Sequence, residues 1–115
     1  MNRKEVLQLI IDALEDKKAE NIQIIDIHEV SSVADCFVIT HGNNKSQVQA
    51  LADNVLEKLA KAGMHERQTE GYANANWILL DYYDIVIHIF DRESRNFYDL
   101  ERIWRDGKTM NVEEM

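Results

Sequence analysis

Residues 77–90 read WILLDYYDIVIHIF, two apolar runs separated by a short polar segment. Residues of high β-propensity are frequent in both runs, and each run has the length of an ordinary strand. The stretch predicts a β-hairpin with strands over residues 75–80 and 84–90, connected tightly at Tyr82 and Tyr83. Tyr83 is an unusual choice there, because a two-residue turn needs a positive φ, which favours glycine or asparagine.

The alternation within this hairpin assigns its side chains to two different faces of a sheet. The aliphatic face is expected to pair Ile78 with Ile87 and Leu80 with Ile85, and to belong to the core. The other face is expected to pair Trp77 with His88 and Leu79 with Val86. Because it mixes aromatic and polar groups with aliphatic ones, this face is typical of a surface that is partly wet or covered by a partner.

The segments around the hairpin alternate between helical and strand patterns. Apolar residues at helical spacing predict helices over residues 3–18, from about residue 44 or 46 to residue 62, and over residues 94–105. Apolar, β-branched segments predict strands over residues 21–27 and 35–40, and a polar edge strand is expected within residues 65–71. The second helix is expected to begin with a capping box of Ser46 and Gln49 and to end at Gly63.

The predicted order is α-β-β-α-β-β-β-α, which indicates an α/β (α+β) fold with a mixed β-sheet and packed helices. A chain of 115 residues has room for one domain, so we expect residues 1–115 to form a single unit. Residues 106–115 are polar and are expected to form a frayed tail.

Composition restricts the class of partner. The chain has 21 acidic and 13 basic residues and a net charge of −8, which repels nucleic-acid phosphates, so free nucleic acid is not expected as the main partner. A strongly basic protein matches this charge better. The longest apolar runs fall short of the roughly 20 residues that a bilayer span needs. The single cysteine and the lack of a leader-like N-terminus indicate a cytoplasmic protein.

We do not expect a catalytic or metal-binding site of a known kind in this chain. The four histidines, His28, His41, His65 and His88, lack the close spacing of metal ligands. Cys36 lies in an apolar strand, where an inert thiol is expected. Asp81 and Asp84 are expected to lie opposite one another across the turn, with Glu70 nearby, which leaves a two-carboxylate acid–base or metal site as an alternative to ordinary turn aspartates.

The combined motifs resemble the ribosomal silencing factor (RsfS/Iojap) family over nearly the whole chain. The residues that carry the resemblance are Asp35-Cys36-Phe37-Val38-Ile39 with Gly42, then Glu70-Gly71, the whole of residues 77–90, and Arg95, Tyr98, Leu100, Glu101 and Trp104. One departure is Tyr83, which replaces the family's usual glycine in the hairpin tip.

The resemblance implies a fold similar to nucleotidyltransferases, without their paired catalytic carboxylates and without a cofactor. It also implies binding to the large ribosomal subunit, through the basic ribosomal protein numbered fourteen, on the surface that the small subunit needs. Such a protein would block subunit association and lower translation when nutrients are scarce.

From the residues themselves we expect Trp77 to anchor this contact. Leu79, Val86 and His88 are expected around it, Glu70, Asp81 and Asp84 at its charged rim, and Tyr82 at the tip with Tyr83. Three alternatives stay open: Trp77 as a core residue beneath the C-terminal helix, a tyrosine folded back over the sheet, and a self-dimer through the same face. A degenerate nucleotidyltransferase-like enzyme that uses the two aspartates is the competing function.

Overall fold

A computed structural model of the chain describes residues 2–32, 34–103 and 108–110. The helices and strands are α1 (Arg3–Asp16), β1 (Glu20–Asp26), β2 (Cys36–Gly42), α2 (Lys45–Lys61), β3 (Gln68–Glu70), β4 (Trp77–Tyr82), β5 (Ile85–Asp91), α3 (Arg92–Tyr98), α4 (Leu100–Ile103) and β6 (Lys108–Met110). The predicted order is confirmed as far as α3, and the structure adds α4 and β6.

The strands form one mixed sheet in the order β3-β4-β5-β2-β1-β6. The two central strands, β2 and β5, are parallel, and the other neighbouring pairs are antiparallel. A parallel pair cannot be joined by a tight turn, so the chain between them passes through α2 and the antiparallel strands β3 and β4. The prediction of a mixed sheet is confirmed, as is the polar edge strand, which has only three residues.

One face of the sheet is covered by α1 and α2, whose apolar residues recur at helical spacing. Because both helices turn this apolar stripe inwards, the larger core of the molecule lies on this side. Asn54 of α2 reaches across the helix pair and donates a hydrogen bond of 2.7 Å to the carbonyl of Ala13. We call this side of the sheet the helix face.

The N-terminal end of α2 differs from the prediction, whereas its C-terminal end agrees with it. Its N-cap is Asn44, whose side-chain oxygen accepts a hydrogen bond from the backbone N–H of Gln47 at 2.8 Å. The predicted capping box of Ser46 and Gln49 was wrong, because extended backbone at Asn44 starts the helix earlier and leaves Ser46 inside the first turn. At the other end Gly63 has a φ of 84°, the left-handed conformation that was predicted.

The C-terminal region also departs from expectation. The predicted helix over residues 94–105 is interrupted at Asp99, which has a φ of 50°, so that α3 and α4 are separate short helices. The predicted frayed tail was wrong for Lys108–Met110, which form β6 and pair with β1 at its outer edge. The last two residues of the predicted helix and the other residues of the tail lie outside the described residues.

Candidate protein-binding face

The hairpin predicted from residues 77–90 is present, with its two-residue turn at Tyr83 and Asp84. Trp77 lies opposite Phe90 and Leu79 lies opposite His88, so the predicted pairing was wrong by two residues. A shift of two residues leaves every side chain on the same face, because strand side chains alternate with a period of two. The predicted division into two faces is therefore correct although the partners are not.

The turn lies one residue later than predicted because Tyr83 accepts the strained conformation. Its φ is 71°, the positive value that the first residue of a tight hairpin turn requires. The carboxylate of Asp81 accepts a hydrogen bond from the Tyr83 N–H at 2.8 Å, which holds the turn in place. The carbonyl of Asp84 accepts from the N–H groups of Asp35 and Cys36, which ties the tip to the start of β2.

The two tyrosines of the tip have different environments. Tyr82 is only 5% exposed and packs with the aliphatic residues of the helix face, so the expectation that it projects to a partner was wrong. Burial raises the pKa of its hydroxyl. Tyr83 is 57% exposed, with the Arg67 guanidinium 5.4 Å from its ring centre. The alternative in which one tyrosine folds back over the sheet is the one that the structure shows.

We call the opposite side of the sheet the aromatic face. It contains Trp77, the residue that the sequence predicts as the anchor for a partner. Trp77 and Leu79 are half-buried, whereas Val86 and His88 on the neighbouring strand β5 are buried. The indole N–H of Trp77 donates to Nδ1 of His88 at 3.0 Å. Burial lowers the pKa of His88 to about 4, so the imidazole is neutral at pH 7 and its proton is on Nε2. This contact holds the Trp77 ring in place.

Two aromatic residues beside Trp77 were not among the predicted site residues. Phe97 is 79% exposed and Tyr98 is 43% exposed, both at the end of α3. The Tyr98 ring lies 4.7 Å from the Trp77 ring, and the Phe97 ring lies 5.1 Å from Tyr98, measured between ring centres. Trp77 is thus neither a simple core residue nor fully free. Trp77, Leu79, Phe97 and Tyr98 together form what we call the aromatic patch.

The position of α3 depends on Arg95, a buried arginine. Its guanidinium donates to the carbonyl of Asn21 at 2.6 Å and to Nδ1 of His41 at 2.9 Å, and forms an ion pair with Glu101 at 2.6 Å. Burial and the neighbouring Arg95 charge lower the pKa of His41, which keeps its ring neutral as an acceptor. These bonds connect α3 and α4 to β1 and β2, and so fix the two exposed rings relative to the sheet.

The three predicted rim carboxylates are in different settings. Glu70 is exposed and lies opposite Leu79 in the β3–β4 pair, at the edge of the aromatic face. Asp81 is buried and paired with Arg67 at 2.5 Å, and it lies opposite Val86. Asp84 is exposed in the turn. The expectation that Asp81 and Asp84 face one another was wrong, because the later turn places one in a strand and the other at the tip.

The reactive thiol of the chain, that of Cys36, is buried. Burial raises the pKa of the Cys36 thiol to about 11, so it stays protonated at neutral pH. Within the part of the chain that the structure describes, no three histidine, cysteine, aspartate or glutamate side chains are placed to hold a metal ion. In that same part, none of the helices has the length and apolar character to cross a bilayer.

The chain is similar to known proteins in both sequence and fold. A family described as ribosomal silencing factor during starvation matches residues 1–115. A ribosomal silencing factor of Halalkalibacterium halodurans is 39% identical over 98% of this chain and 97% of its own length, and one of Bacillus subtilis is 37% identical over 98% and 96%. A crystal structure from Chromobacterium violaceum superimposes with a TM-score of 0.89 at 33% identity, covering 96% of this chain and 92% of the other.

Proposed function

The chain belongs to the ribosomal silencing factor family, and on that premise we propose that it binds the large ribosomal subunit and blocks docking of the small one. The contact is made with the basic ribosomal protein numbered fourteen, in the cytoplasm, and represses translation when nutrients are scarce. The protein acts by occupying space and makes or breaks no covalent bond. The observation that carries the proposal is the aromatic patch, whose side chains are partly exposed to solvent. The chain that carries this patch has a net charge of −8, which suits a basic partner.

The physical properties of the patch support protein binding. Aromatic side chains that are held rigidly contribute most to interface energies, and Trp77 is held by His88 on one side and by Tyr98 on the other. A standard interface buries about 800 Å² per partner, a small share of the 6509 Å² surface of this chain. The domain as a whole, with extents of 33 × 33 × 24 Å, supplies the bulk that obstructs the other subunit.

The decisive experiment is co-sedimentation of the Trp77→Ala variant with purified large subunits. We expect affinity to fall at least about tenfold, since truncating a central aromatic anchor removes a large part of the binding energy. Wild-type protein should also prevent added small subunits from joining. The matched control is Tyr72→Ala, an exposed aromatic residue outside the aromatic patch, whose hydroxyl donates to the Asp53 carboxylate of α2 at 2.9 Å.

Circular dichroism establishes that both variants are folded before binding is compared. A wild-type protein that sediments only with small subunits, or with neither subunit, would contradict the proposal. The self-dimer through the same face stays a prediction, which light scattering over a range of concentrations tests. The enzyme hypothesis also stays a prediction, and calorimetry with Mg²⁺ and the four nucleoside triphosphates tests it.

A further inference from the structure

A cleft lies next to the aromatic patch, between the start of α3 and the residue that precedes β4. Its volume is about 300 Å³, and its described lining residues are Asn76, Asp91, Glu93, Ser94, Phe97 and Tyr98. Two carboxylates and two exposed aromatic rings thus share one small concave surface. Tyr98 belongs to both the cleft and the patch, so the two surfaces are continuous.

The chemistry of the cleft follows from the helical spacing of α3. Glu93 and Phe97 are four residues apart, so the carboxylate lies one turn from the exposed ring on the same face. Asp91 caps the helix with one oxygen, which accepts from the Ser94 N–H at 2.7 Å. No ion pair within the described residues involves Glu93 or Asp91, so both charges are available to a ligand.

We propose that this cleft receives a lysine or arginine side chain from the partner protein, with the alkyl stem over Phe97 and the charged head at Asp91 and Glu93. The inference rests on the proposed function and deepens it by extending the interface from Trp77 onto α3. Long basic side chains cover apolar surface with their stems, and their cationic heads are attracted to the faces of aromatic rings and to carboxylates.

Charge complementarity favours a basic protein over the other possible occupants. A nucleic-acid backbone would bring phosphates against Asp91 and Glu93, which repel them. A second copy of the chain with net charge −8, packed on a two-fold axis through this surface, would bring the same two carboxylates together across the interface. A basic surface of the large subunit avoids both kinds of repulsion, from phosphates and from a second set of carboxylates.

The test is the affinity of the full chain for purified large subunits at several salt concentrations. The informative variant is Asp91→Asn with Glu93→Gln, since asparagine serves as an N-cap as well as aspartate does and the helix start is retained. We expect about tenfold weaker binding at low salt and a shallower dependence on salt, because interface charge pairs have been removed. Phe97→Ala should also weaken binding, by about tenfold.

The matched control is Glu5→Gln with Asp12→Asn on α1. These residues line a cleft of similar size, about 290 Å³, on α1, which covers the helix face. The control removes the same charge from the chain, so it separates a local contact from the effect of net charge. We expect its affinity for large subunits to stay within about twofold of wild type, since charges away from the interface act only through screened, long-range steering.

The outcomes separate this inference from the proposed function. If the cleft variants bind as wild type does while Trp77→Ala loses binding, the inference is overturned and the proposed function stands. Tighter binding after removal of the carboxylates would show that the cleft faces ribosomal RNA and would also overturn it. A change in molecular mass by light scattering, without a change in ribosome binding, would assign the cleft to a second copy instead. If the wild-type chain ignores large subunits, the proposed function itself fails.

Discussion

The helix face and the aromatic face of the same sheet differ in the chemistry of the side chains that they bury. Ile87 and His88 are neighbours on β5, each almost completely buried, yet one is aliphatic and the other is an imidazole. Ile87 needs only close packing. Within the described residues, Nε2 of His88 has no hydrogen-bond partner, and a buried unpaired donor costs about 1–3 kcal/mol. The buried Tyr82 hydroxyl on the helix face is likewise without a partner among the described residues, whereas His88 also positions the half-buried Trp77.

The covering elements differ in the same way. The helix face lies beneath two helices of 14 and 17 residues, whereas the aromatic face is crossed by helices of 7 and 4 residues. Exposure on the aromatic face rises outward, from the fully buried Phe90 through the half-buried Trp77 to Phe97. Both sides of the sheet contain buried apolar residues, but the aromatic face is covered less completely, and for that reason we propose it as the surface for recognition.

The largest expected effect distinguishes the two faces by stability. Ile87→Ala on the helix face should lower the free energy of unfolding by about 2–5 kcal/mol, because it removes buried methyl groups and leaves a cavity. Leu79→Ala on the aromatic face should cost clearly less, since the Leu79 side chain is already partly in water. Urea unfolding followed by circular dichroism measures both values.

The affinity of the same two variants for large subunits should differ in the opposite sense. Leu79→Ala should weaken binding, and Ile87→Ala should leave the affinity of the folded fraction unchanged. Equal losses of stability for the two substitutions, or equal losses of binding, would remove the distinction between the faces.

The division into faces could be predicted from the sequence, whereas the register could not. Alternation assigns Ile78 and Leu80 to one face and Trp77 and Leu79 to the other for any pairing that shifts by an even number of residues. The choice between pairings depended on where the turn lies. Tyr83 adopts a positive φ that few residues of its size tolerate, so general turn preferences placed the turn one residue too early.

The candidate site was predicted only in part for a related reason. The helical spacing of the apolar residues predicted one helix over residues 94–105, but the helix is interrupted where Asp99 adopts a left-handed conformation, and Phe97 is exposed just before that break. The sequence contains no glycine there to signal the break. Likewise, nothing local indicates that Asp81 pairs with Arg67, because that contact depends on the pairing of β3 with β4.

The second prediction concerns the backbone that supports Trp77. A methyl group added at Gly71 would lie 2.1 Å from the carbonyl oxygen of Trp77, and Gly71 has a φ of 79°. Gly63 has a similar φ of 84° but no atom within 4 Å of the added methyl, so it is a matched control. Gly63→Ala should cost about 1–2 kcal/mol from the left-handed conformation alone. Gly71→Ala should cost more, because the backbone of β4 must also move.

Thermal or urea unfolding compares the two glycine variants, and indole fluorescence reports whether Trp77 has moved. We expect large-subunit binding to fall for Gly71→Ala and to persist for Gly63→Ala. Equal destabilisation by the two substitutions would show that the contact between residue 71 and Trp77 does not constrain the aromatic face.

The smallest expected effect is the pH dependence of the free energy of unfolding that is caused by His88 on the aromatic face. Burial lowers the pKa of His88 from its ordinary value of 6.5 to about 4, so only the unfolded chain takes up this proton as the pH falls between those values. The stability that His88 contributes is complete above its unfolded pKa and is lost as the pH falls towards its folded pKa. Relative to His88→Asn, the wild-type free energy of unfolding should drop by about 1–2 kcal/mol between pH 7 and pH 5.

Urea unfolding at the two pH values measures this difference. His28 and His41, whose pKa values are shifted in opposite directions, are present in both proteins and cancel in the comparison. Parallel loss of stability in wild type and variant would mean that the buried imidazole takes up its proton without cost. In that case burial of the His88 imidazole would have no pH-dependent cost, and the two faces would differ only in how much of their side chains is exposed to solvent.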